Sequence, residues 1–242
     1  MTVATGAGEP DGSAAVNGAA IELGALERRY GERVALAGVT VSVAAGQTLV
    51  VLGANGAGKT TLLRVLATLL RPHGGSCRVL GRDLPGAAWD VRGRVGYLGH
   101  DPLLYRDLTG RENLAYHARL HAVEGDRVDE QLAAVEMTRR ADEPVRELSK
   151  GMVQRLAVAR ATLHDPEVLL LDEPRANLDP GAAEGLEPLI GRAARRTRVL
   201  VTHDVEGGLA EADVALGLRG AAQAFALPAA DVSTADARAL YA

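Results

Sequence analysis

The chain has 242 residues, of which 47% are hydrophobic and 24% charged, and its formal net charge is −4 at pH 7. This composition is ordinary for a globular protein that buries a core, and the acidic balance provides no basic field for nucleic acid. The single cysteine excludes an internal disulfide framework and fits a reducing compartment, so we expect the cytoplasm. No apolar run approaches the ~20 residues that a membrane-spanning helix needs.

The first predicted elements follow an N-terminal segment that lacks basic residues. Residues 1–19 are rich in Gly, Ala, Ser and Pro, so we expect a disordered leader rather than a secretion signal. The stretch VALAGVTVSVAAGQTLVVLG, which ends at Gly53, alternates apolar with small or polar residues and predicts two or three strands. A helix is expected from Gly58 to about Leu70, and short strands are expected in SCRVLGRDL and RVGYLG.

The pattern becomes helical between about residues 103 and 163. Two apolar runs of strand length follow, EVLLLDEP and RVLVTHD, which are typical of parallel strands buried on both faces. Strands and helices that alternate on both sides of a helical insert predict an α/β core with a helical subdomain over 103–163. We expect the main domain to cover 20–220 and residues 221–242 to form an Ala-rich, weakly patterned tail.

A glycine-rich loop joins the predicted strand to the predicted helix and fits the pattern G-x-x-x-x-G-K-[ST], from Gly53 to Thr60. Glycines let successive backbone N–H groups turn towards one anion, and the start of a helix adds a partial positive charge. Lys59, one of only two lysines in the chain, can reach the β- and γ-phosphates of a triphosphate, while the Thr60 hydroxyl can ligate Mg²⁺. A turn without a ligand is the alternative, and the flanking strand and helix argue against it.

Polar residues end both late apolar runs, where α/β folds bind their ligands. We predict that Asp172 holds Mg²⁺ through water and that Glu173 is the general base for the water that attacks the γ-phosphate. We predict that His203 donates to the γ-phosphate and orients that water. Acids at a strand end are, on their own, more often a helix cap or a solvated edge, and an isolated histidine is usually structural. The phosphate loop favours the catalytic interpretation of all three.

A second helix start carries a small polar residue in ELSKGMVQRLAVARA, where Ser149 is a plausible N-cap and Gly151 permits close approach. Such a helix start can bind an anion. The helix that follows the phosphate loop already occupies the phosphate site of its own chain. The helix start at Ser149 would therefore bind the nucleotide of another chain. A twofold dimer supplies it, with each Ser149 facing the partner's γ-phosphate. An ordinary N-cap is the alternative.

Together these motifs resemble, in order and spacing, the ATP-binding subunit of ABC transporters over nearly all of residues 20–220. The resemblance implies a P-loop NTPase (RecA-like) α/β core with an antiparallel β-subdomain and a helical subdomain. Residues 53–61 look like Walker A, LSKGM at 148–152 like the LSGGQ signature, VLLLDEP like Walker B and ANLD at 176–179 like the D-loop. His203 looks like the switch histidine, and Tyr30 falls where the family stacks an aromatic ring on adenine. The implied ATP-binding residues are Tyr30, Gly53, Asn55, Gly56, Ala57, Gly58, Lys59, Thr60, Thr61, Ser149, Gly151 and Asp179.

The chain departs from the family pattern at two places. Lys150 and Met152 replace a glycine and a glutamine of the signature, while Ser149 and Gly151 are kept. His100 stands where the family has a glutamine that touches Mg²⁺ and couples to the membrane subunit. Imidazole is a poorer ligand than an oxygen for hard Mg²⁺, so the resemblance favours a coupling role for His100 over metal ligation.

The resemblance implies an ATPase on the inner face of the cell membrane, working as a homodimer or beside a similar ATPase. Its partner would be a separate integral membrane transporter subunit, with no nucleic acid involved. The region YLGHDPLLYRDLTGRENLAYHARLHAV is similar to the haem exporter ATPase of cytochrome c maturation, which predicts haem export. Drug, antibiotic and polysaccharide exporters stay open. Soluble ABC proteins of DNA repair or translation usually carry two cassettes or coiled-coil inserts, which this sequence does not show, and LSKGM with ANLD argues against a small-molecule kinase.

Overall fold

The structure, a computed structural model, describes residues 18–124 and 126–241. In chain order the strands are β1 (Ala19–Tyr30), β2 (Arg33–Ala44), β3 (Thr48–Leu52), β4 (Gly74–Val79), β5 (Arg82–Asp83), β6 (Val95–Leu98), β7 (Val168–Asp172), β8 (Thr197–Val201), β9 (Val214–Arg219) and β10 (Ala222–Pro228). The helices are α1 (Lys59–Leu66), α2 (Ala88–Arg92), α3 (Gly110–Leu120), α4 (Asp126–Ala134), α5 (Lys150–Thr162), α6 (Pro180–Ile190), α7 (Val205–Glu211) and α8 (Thr234–Arg238). The described strands form one sheet in the order β5-β4-β1-β2-β10-β9-β3-β8-β7-β6.

One half of the sheet is parallel and consists of β9, β3, β8, β7 and β6. Every residue of β3, β7 and β8 is buried, as expected for strands that are covered on both faces. The apolar runs TLVVL and VLLLD are therefore the strands that the sequence predicts. Because these strands run in the same direction, the segments that follow Leu52, Asp172 and Val201 emerge at one edge of the sheet.

The other half of the sheet is antiparallel. β1 pairs with β2 and β4, and β4 pairs with β5. β10 joins the two halves, because it pairs antiparallel with β9 and its Ala222 pairs with Ala37 of β2. The antiparallel β-subdomain is thus continuous with the parallel core.

Helices α3, α4 and α5 form the region that the sequence predicts as helical. Leu114, Leu132 and Leu156, one from each helix, are fully buried in a shared cluster that also includes Leu171 of β7. α3 starts with a capping box, in which the Glu112 N–H donates to Thr109 Oγ1 and the Thr109 N–H donates to the Glu112 carboxylate. The helical region therefore packs directly on the parallel sheet. The longest described helix, α5, has 13 residues, and no described helix has the length and apolarity to cross a membrane.

The structure corrects the predicted start of the domain and the predicted end of the first helix. β1 begins at Ala19, inside the predicted leader 1–19, because Ala19 already pairs with Ala44 of β2. Residues 1–17 lie outside the described part of the chain. α1 ends at Leu66 rather than about Leu70, and the backbone at Thr68 is left-handed, with a φ of 60°, which ends the helical path.

The predicted tail, 221–242, is also corrected as far as residue 241. It contributes β10 and α8, and its Ala237 and Leu240 are buried against Val50 and Leu52 of β3. Because the segment is rich in alanine, its sequence does not distinguish a buried face from an exposed one. The small side chains nevertheless pack closely against the neighbouring strand.

A histidine cluster lies between the helical region and the sheet. It contains His117 of α3, His121 at the C-terminal cap of α3, and His164, which follows α5. The His121 and His164 rings stack with centroids 4.0 Å apart and planes at 10°. Burial lowers the pKa of His164 from 6.5 to about 4, and the nearby positive charge of His121 acts in the same direction.

We expect the unfolding free energy to fall as the pH drops from 6.5 towards 4, because the unfolded chain binds a proton at His164 that the folded chain excludes. Between pH 7 and pH 5, His164 should lower the unfolding free energy by about 2 kcal/mol. Urea unfolding at both pH values measures this difference. His164→Gln should lose less stability on acidification than the wild type. Equal pH dependence in the two proteins would contradict the assignment.

Candidate active site

A cavity of about 530 Å³ lies at the carboxyl edge of β3, β7 and β8. Most predicted site residues line it: Tyr30, Asn55, Gly56, Gly58, Lys59, Thr60, Thr61, His100, Asp172, Glu173 and His203. The fold thus brings the glycine-rich loop, the strand-end acids and the strand-end histidine to one place, as the parallel strand directions require.

Two positions of the loop, Gly53 and Gly58, have no room for a side chain. Gly53 has a φ of 146° and Gly58 a φ of 109°, values that side-chain-bearing residues rarely adopt. A Cβ at Gly53 would lie 2.3 Å from the Leu218 carbonyl oxygen, and a Cβ at Gly58 would lie 2.3 Å from that of Ala35. No side chain caps α1, so its first N–H groups are available to an anion in the cavity.

Lys59 is held by its own loop. Its ammonium donates to the Gly53 carbonyl at 2.6 Å and to the Ala54 carbonyl at 3.1 Å, which leaves a third N–H for a ligand. Burial lowers the pKa of Lys59, and the nearby carboxylates of Glu173 and Asp172 oppose this by favouring the charged form. The loop therefore presents one positioned cation to the cavity.

Gly53 and Ala57 do not line the cavity. Ala57 is 4% exposed, and its N–H donates to the Ala54 carbonyl at 3.1 Å. Both residues belong to the glycine-rich loop but lie away from the cavity surface. Their direct contact with a nucleotide stays a prediction.

Thr60 and Asp172 supply the oxygens that Mg²⁺ prefers. The Thr60 hydroxyl donates to Asp172 Oδ2 at 2.8 Å, and Asp172 is 5% exposed. Among the described residues, no group of three or more His, Cys, Asp or Glu side chains could hold a metal by itself. Because Mg²⁺ usually binds through one or two protein oxygens plus phosphates and waters, these two residues fit it. His100 is exposed at the cavity wall, and its contact with a metal stays a prediction.

Glu173 and His203 form a pair next to the strand ends. Glu173 Oε1 lies 3.5 Å from His203 Nε2, and the Glu173 N–H donates to the Val201 carbonyl at 2.9 Å. The backbone of Glu173 is left-handed, with a φ of 52°, a strained conformation that is common at functional sites. Burial raises the pKa of Glu173, while His203 lowers it. A carboxylate with a raised pKa is a better proton acceptor, which suits a general base.

The cavity is lined by the predicted Tyr30 and by arginines that were not predicted. Tyr30 is 44% exposed, and the Arg28 guanidinium lies 5.0 Å from its ring centre. Arg33 and Arg64 also line the cavity, yet neither belongs to a predicted motif. Arg64 stands four residues after Thr60 on α1, so helical periodicity could have placed it on the same face. Arg33 carries no such signal.

Ser149, Gly151 and Asp179 do not line this cavity. The Ser149 hydroxyl accepts from the Met152 N–H at 3.3 Å, and Asp179 Oδ1 accepts from the Ala182 N–H at 2.9 Å, so both are helix caps. A Cβ at Gly151 would lie 3.1 Å from the Asn177 carbonyl oxygen, which places the start of α5 against the ANLD segment. A nucleotide contact for this group stays a prediction that requires a second chain.

The sequence profile of the ABC transporter family matches residues 36–176. The chain belongs to this family. It is 43% identical over 188 residues to the daunorubicin resistance ATP-binding protein DrrA3 of Streptomyces coeruleorubidus, covering 76% of this chain and 60% of that protein. It is 39% identical over 189 residues to the Nod factor export ATP-binding protein I of Ralstonia nicotianae, covering 75% of this chain and 58% of that protein.

An importer component is also similar. The phosphonates import ATP-binding protein PhnC of Anaeromyxobacter dehalogenans is 37% identical over 254 residues, covering 97% of this chain and 51% of that protein. The chain therefore spans between about half and three fifths of the length of these relatives. Their names include both an exporter and an importer.

Solved structures show the same fold. An ATP-binding subunit of an ABC transporter superposes with a TM-score of 0.79 at 26% identity, covering 86% of this chain and 89% of that chain. An ATP-binding cassette solved as a dimer with ADP and phosphate gives a TM-score of 0.78 at 24% identity, covering 86% and 98%. The predicted P-loop NTPase fold with its additional subdomains is confirmed.

Proposed function

We propose that this ABC family member binds ATP with Mg²⁺, hydrolyses it and thereby drives a separate membrane transporter subunit. The convergence of Lys59, Thr60, Asp172 and Glu173 on one cavity of about 530 Å³ carries the proposal. Lys59 and Thr60 come from the start of α1, Asp172 is the last residue of β7 and Glu173 follows it, and together these residues provide a cation, metal-binding oxygens and a base.

The roles of the residues follow from their chemistry. Loop N–H groups and Lys59 hold the phosphates, and the exposed Tyr30 ring offers a surface on which adenine stacks. Mg²⁺ held by Thr60 and Asp172 would neutralise phosphate charge. Glu173 takes a proton from water as the water oxygen bonds to the γ-phosphorus and the bond to the β-phosphate oxygen breaks, giving ADP and phosphate. His203 donates a hydrogen bond to the γ-phosphate.

Phosphate release from ATP by the purified chain tests this function. We expect release that needs Mg²⁺ and stops when EDTA is added. A chain that folds, by circular dichroism, and releases no phosphate above background would contradict the proposal.

A second copy of the chain completes the proposed site, because Ser149 lies outside the cavity of its own chain. Ser149→Arg should spare ATP binding to the monomer but block ATP-driven dimerisation and turnover. A matched control is Ser233→Arg, which removes another helix-capping serine at the start of α8. Both variants should lose about 1 kcal/mol of stability from the lost cap.

Size-exclusion chromatography with a non-hydrolysable ATP analogue and Mg²⁺ separates the two variants, because the analogue keeps the nucleotide sites occupied. We expect Ser233→Arg to dimerise like the parent chain and Ser149→Arg to stay monomeric. Dimerisation of Ser149→Arg would refute the role of α5 in binding the partner's nucleotide.

The proposed membrane partner has an apolar surface available next to the ATP cavity. Leu69, Leu103 and Tyr105 are 56%, 47% and 53% exposed. A neighbouring cavity of about 280 Å³ is lined by Arg64, Leu69, Leu70, Tyr97, Asp101 and Leu103. Exposed apolar groups rimmed by charge are typical of protein interfaces, and Arg64 lines both cavities. We propose that a cytoplasmic helix of the transporter subunit docks there, with this chain peripheral on the inner membrane face.

The comparisons do not support the predicted haem substrate, because the relatives are named for daunorubicin resistance, Nod factor export and phosphonate import. The haem resemblance covers only the region around His100. We therefore favour the alternative from the sequence, export of a drug, an antibiotic or a polysaccharide. The test uses proteoliposomes that contain this chain and the membrane subunit with which it assembles. We expect an anthracycline or an oligosaccharide, and not haemin, to stimulate ATP hydrolysis, and stimulation by haemin alone would reverse this choice.

A further inference from the structure

A buried arginine connects α5 to the loop that carries His100. Arg160, in the last turn of α5, is 9% exposed. Its Nη2 donates to the Tyr97 carbonyl at 2.6 Å and its Nε donates to the Pro102 carbonyl at 3.2 Å. One guanidinium therefore contacts carbonyl groups on both sides of residues 99–101, which we call the His100 loop.

The charge of Arg160 has no carboxylate partner among the described residues. Its titratable neighbours are His117, His121, His164 and Tyr97, and burial lowers the pKa of Arg160 to about 10, so it stays charged at neutral pH. A buried charge without an opposite charge is costly. The carbonyl dipoles of Tyr97 and Pro102 offset the cost of burying the guanidinium charge. Arg160 therefore serves to position the backbone at these two carbonyls rather than to form an ion pair.

The His100 loop forms part of the proposed ATPase site. His100 lines the cavity together with Lys59 and Glu173. The loop follows β6 and continues into Leu103, which has a left-handed φ of 53°. The loop belongs to neither a helix nor a strand. The two hydrogen bonds from the Arg160 guanidinium therefore hold the backbone on either side of it.

α5 also reaches the proposed dimer contact. Ser149 caps its start, and Arg160 lies eleven residues further on, about 16 Å along the helix axis. A rigid helix of this length connects the residue that faces a second chain with the residue that holds the His100 loop.

We propose that Arg160 is a positioning residue, which fixes the His100 loop to α5 so that His100 keeps its place in the cavity when the Ser149 end contacts a second chain. This inference rests on the proposed ATPase function. Two N–H groups of a planar fork reach two carbonyls, whereas the single ammonium of lysine is a point charge that does not reproduce the fork.

The test compares Arg160→Lys with Arg155→Lys. Arg155 lies on the same helix and pairs with the Glu136 carboxylate and the Val135 carbonyl, away from the ATP cavity. We expect Arg160→Lys to lower kcat by at least about tenfold with an unchanged Kd for ATP, because displaced groups near reacting atoms cost rate. Amide hydrogen exchange should become faster at residues 99–104. Arg155→Lys should change neither quantity.

A double-variant cycle shows whether Arg160 acts through His100. If it does, Arg160→Lys combined with His100→Ala should have the same kcat as His100→Ala alone. Multiplicative losses, an unchanged kcat in Arg160→Lys, or unchanged exchange at 99–104 would each overturn the inference. If the parent chain itself releases no phosphate, the proposed ATPase function fails instead, and the exchange measurement still decides whether Arg160 holds the loop.

Discussion

Glu173→Gln is expected to stop ATP hydrolysis while leaving ATP binding largely intact. The amide keeps the size of the side chain beside His203 but cannot take a proton from water. Because a positioned general base contributes about 100-fold to 10,000-fold, we expect phosphate release to fall by at least about 100-fold. The loop residues and Lys59 are unchanged, so the Kd for ATP should stay close to that of the parent chain.

The same variant should accumulate as a dimer in ATP and Mg²⁺, visible by size-exclusion chromatography, since bound ATP holds the two chains together until it is hydrolysed. Glu167→Gln is the matched control. Glu167 precedes β7 at its opposite end, is half-exposed and pairs with Arg94. It should hydrolyse ATP like the parent chain and show no trapped dimer. Full hydrolysis by Glu173→Gln would overturn the assignment of the base.

Lys59→Ala is expected to abolish productive ATP binding. The ammonium is the positioned cation of the phosphate loop, and hydrogen bonds to a charged group contribute about 1.5–3 kcal/mol each. The loss of the one free N–H bond to phosphate corresponds to a roughly tenfold to 100-fold rise in Kd. Titration calorimetry with a non-hydrolysable ATP analogue measures the change.

The second lysine of the chain provides the control. Lys150 is exposed at the start of α5 and does not line the cavity, so Lys150→Ala should bind the analogue like the parent chain. Thermal melts separate lost binding from lost folding, because the Gly53 and Ala54 carbonyls lose a donor in Lys59→Ala. Unchanged affinity in a folded Lys59→Ala protein would contradict the assigned role of the loop.

The central part of the site could be predicted because its residues follow strands with strong patterns. TLVVL and VLLLD are continuous apolar runs, and parallel pairing forces the residues after them to one edge of the sheet. Lys59, Asp172 and Glu173 therefore had to lie close together once the fold class was known. The helix cap at Ser149 was predicted for a similar local reason, because serine is a preferred residue at a helix start.

Other parts of the site depend on tertiary contacts that leave no periodic signal. Arg160 donates to backbone carbonyls, and a carbonyl belongs to every residue, so no sequence pattern identifies its partners. Arg33 reaches the cavity only because β2 runs past the phosphate loop. The segment from Ala222 to residue 241 was predicted as a tail because alanine gives little contrast between buried and exposed faces.

Calorimetric titration of the purified chain with an ATP analogue and Mg²⁺ tests the central claim most directly, namely that the Gly53–Thr61 loop is a triphosphate site. We predict saturable binding of one analogue per chain, weakened when Mg²⁺ is removed and lost in Lys59→Ala. A folded chain that gives no binding signal for adenine nucleotides, with Mg²⁺ present, would contradict the account.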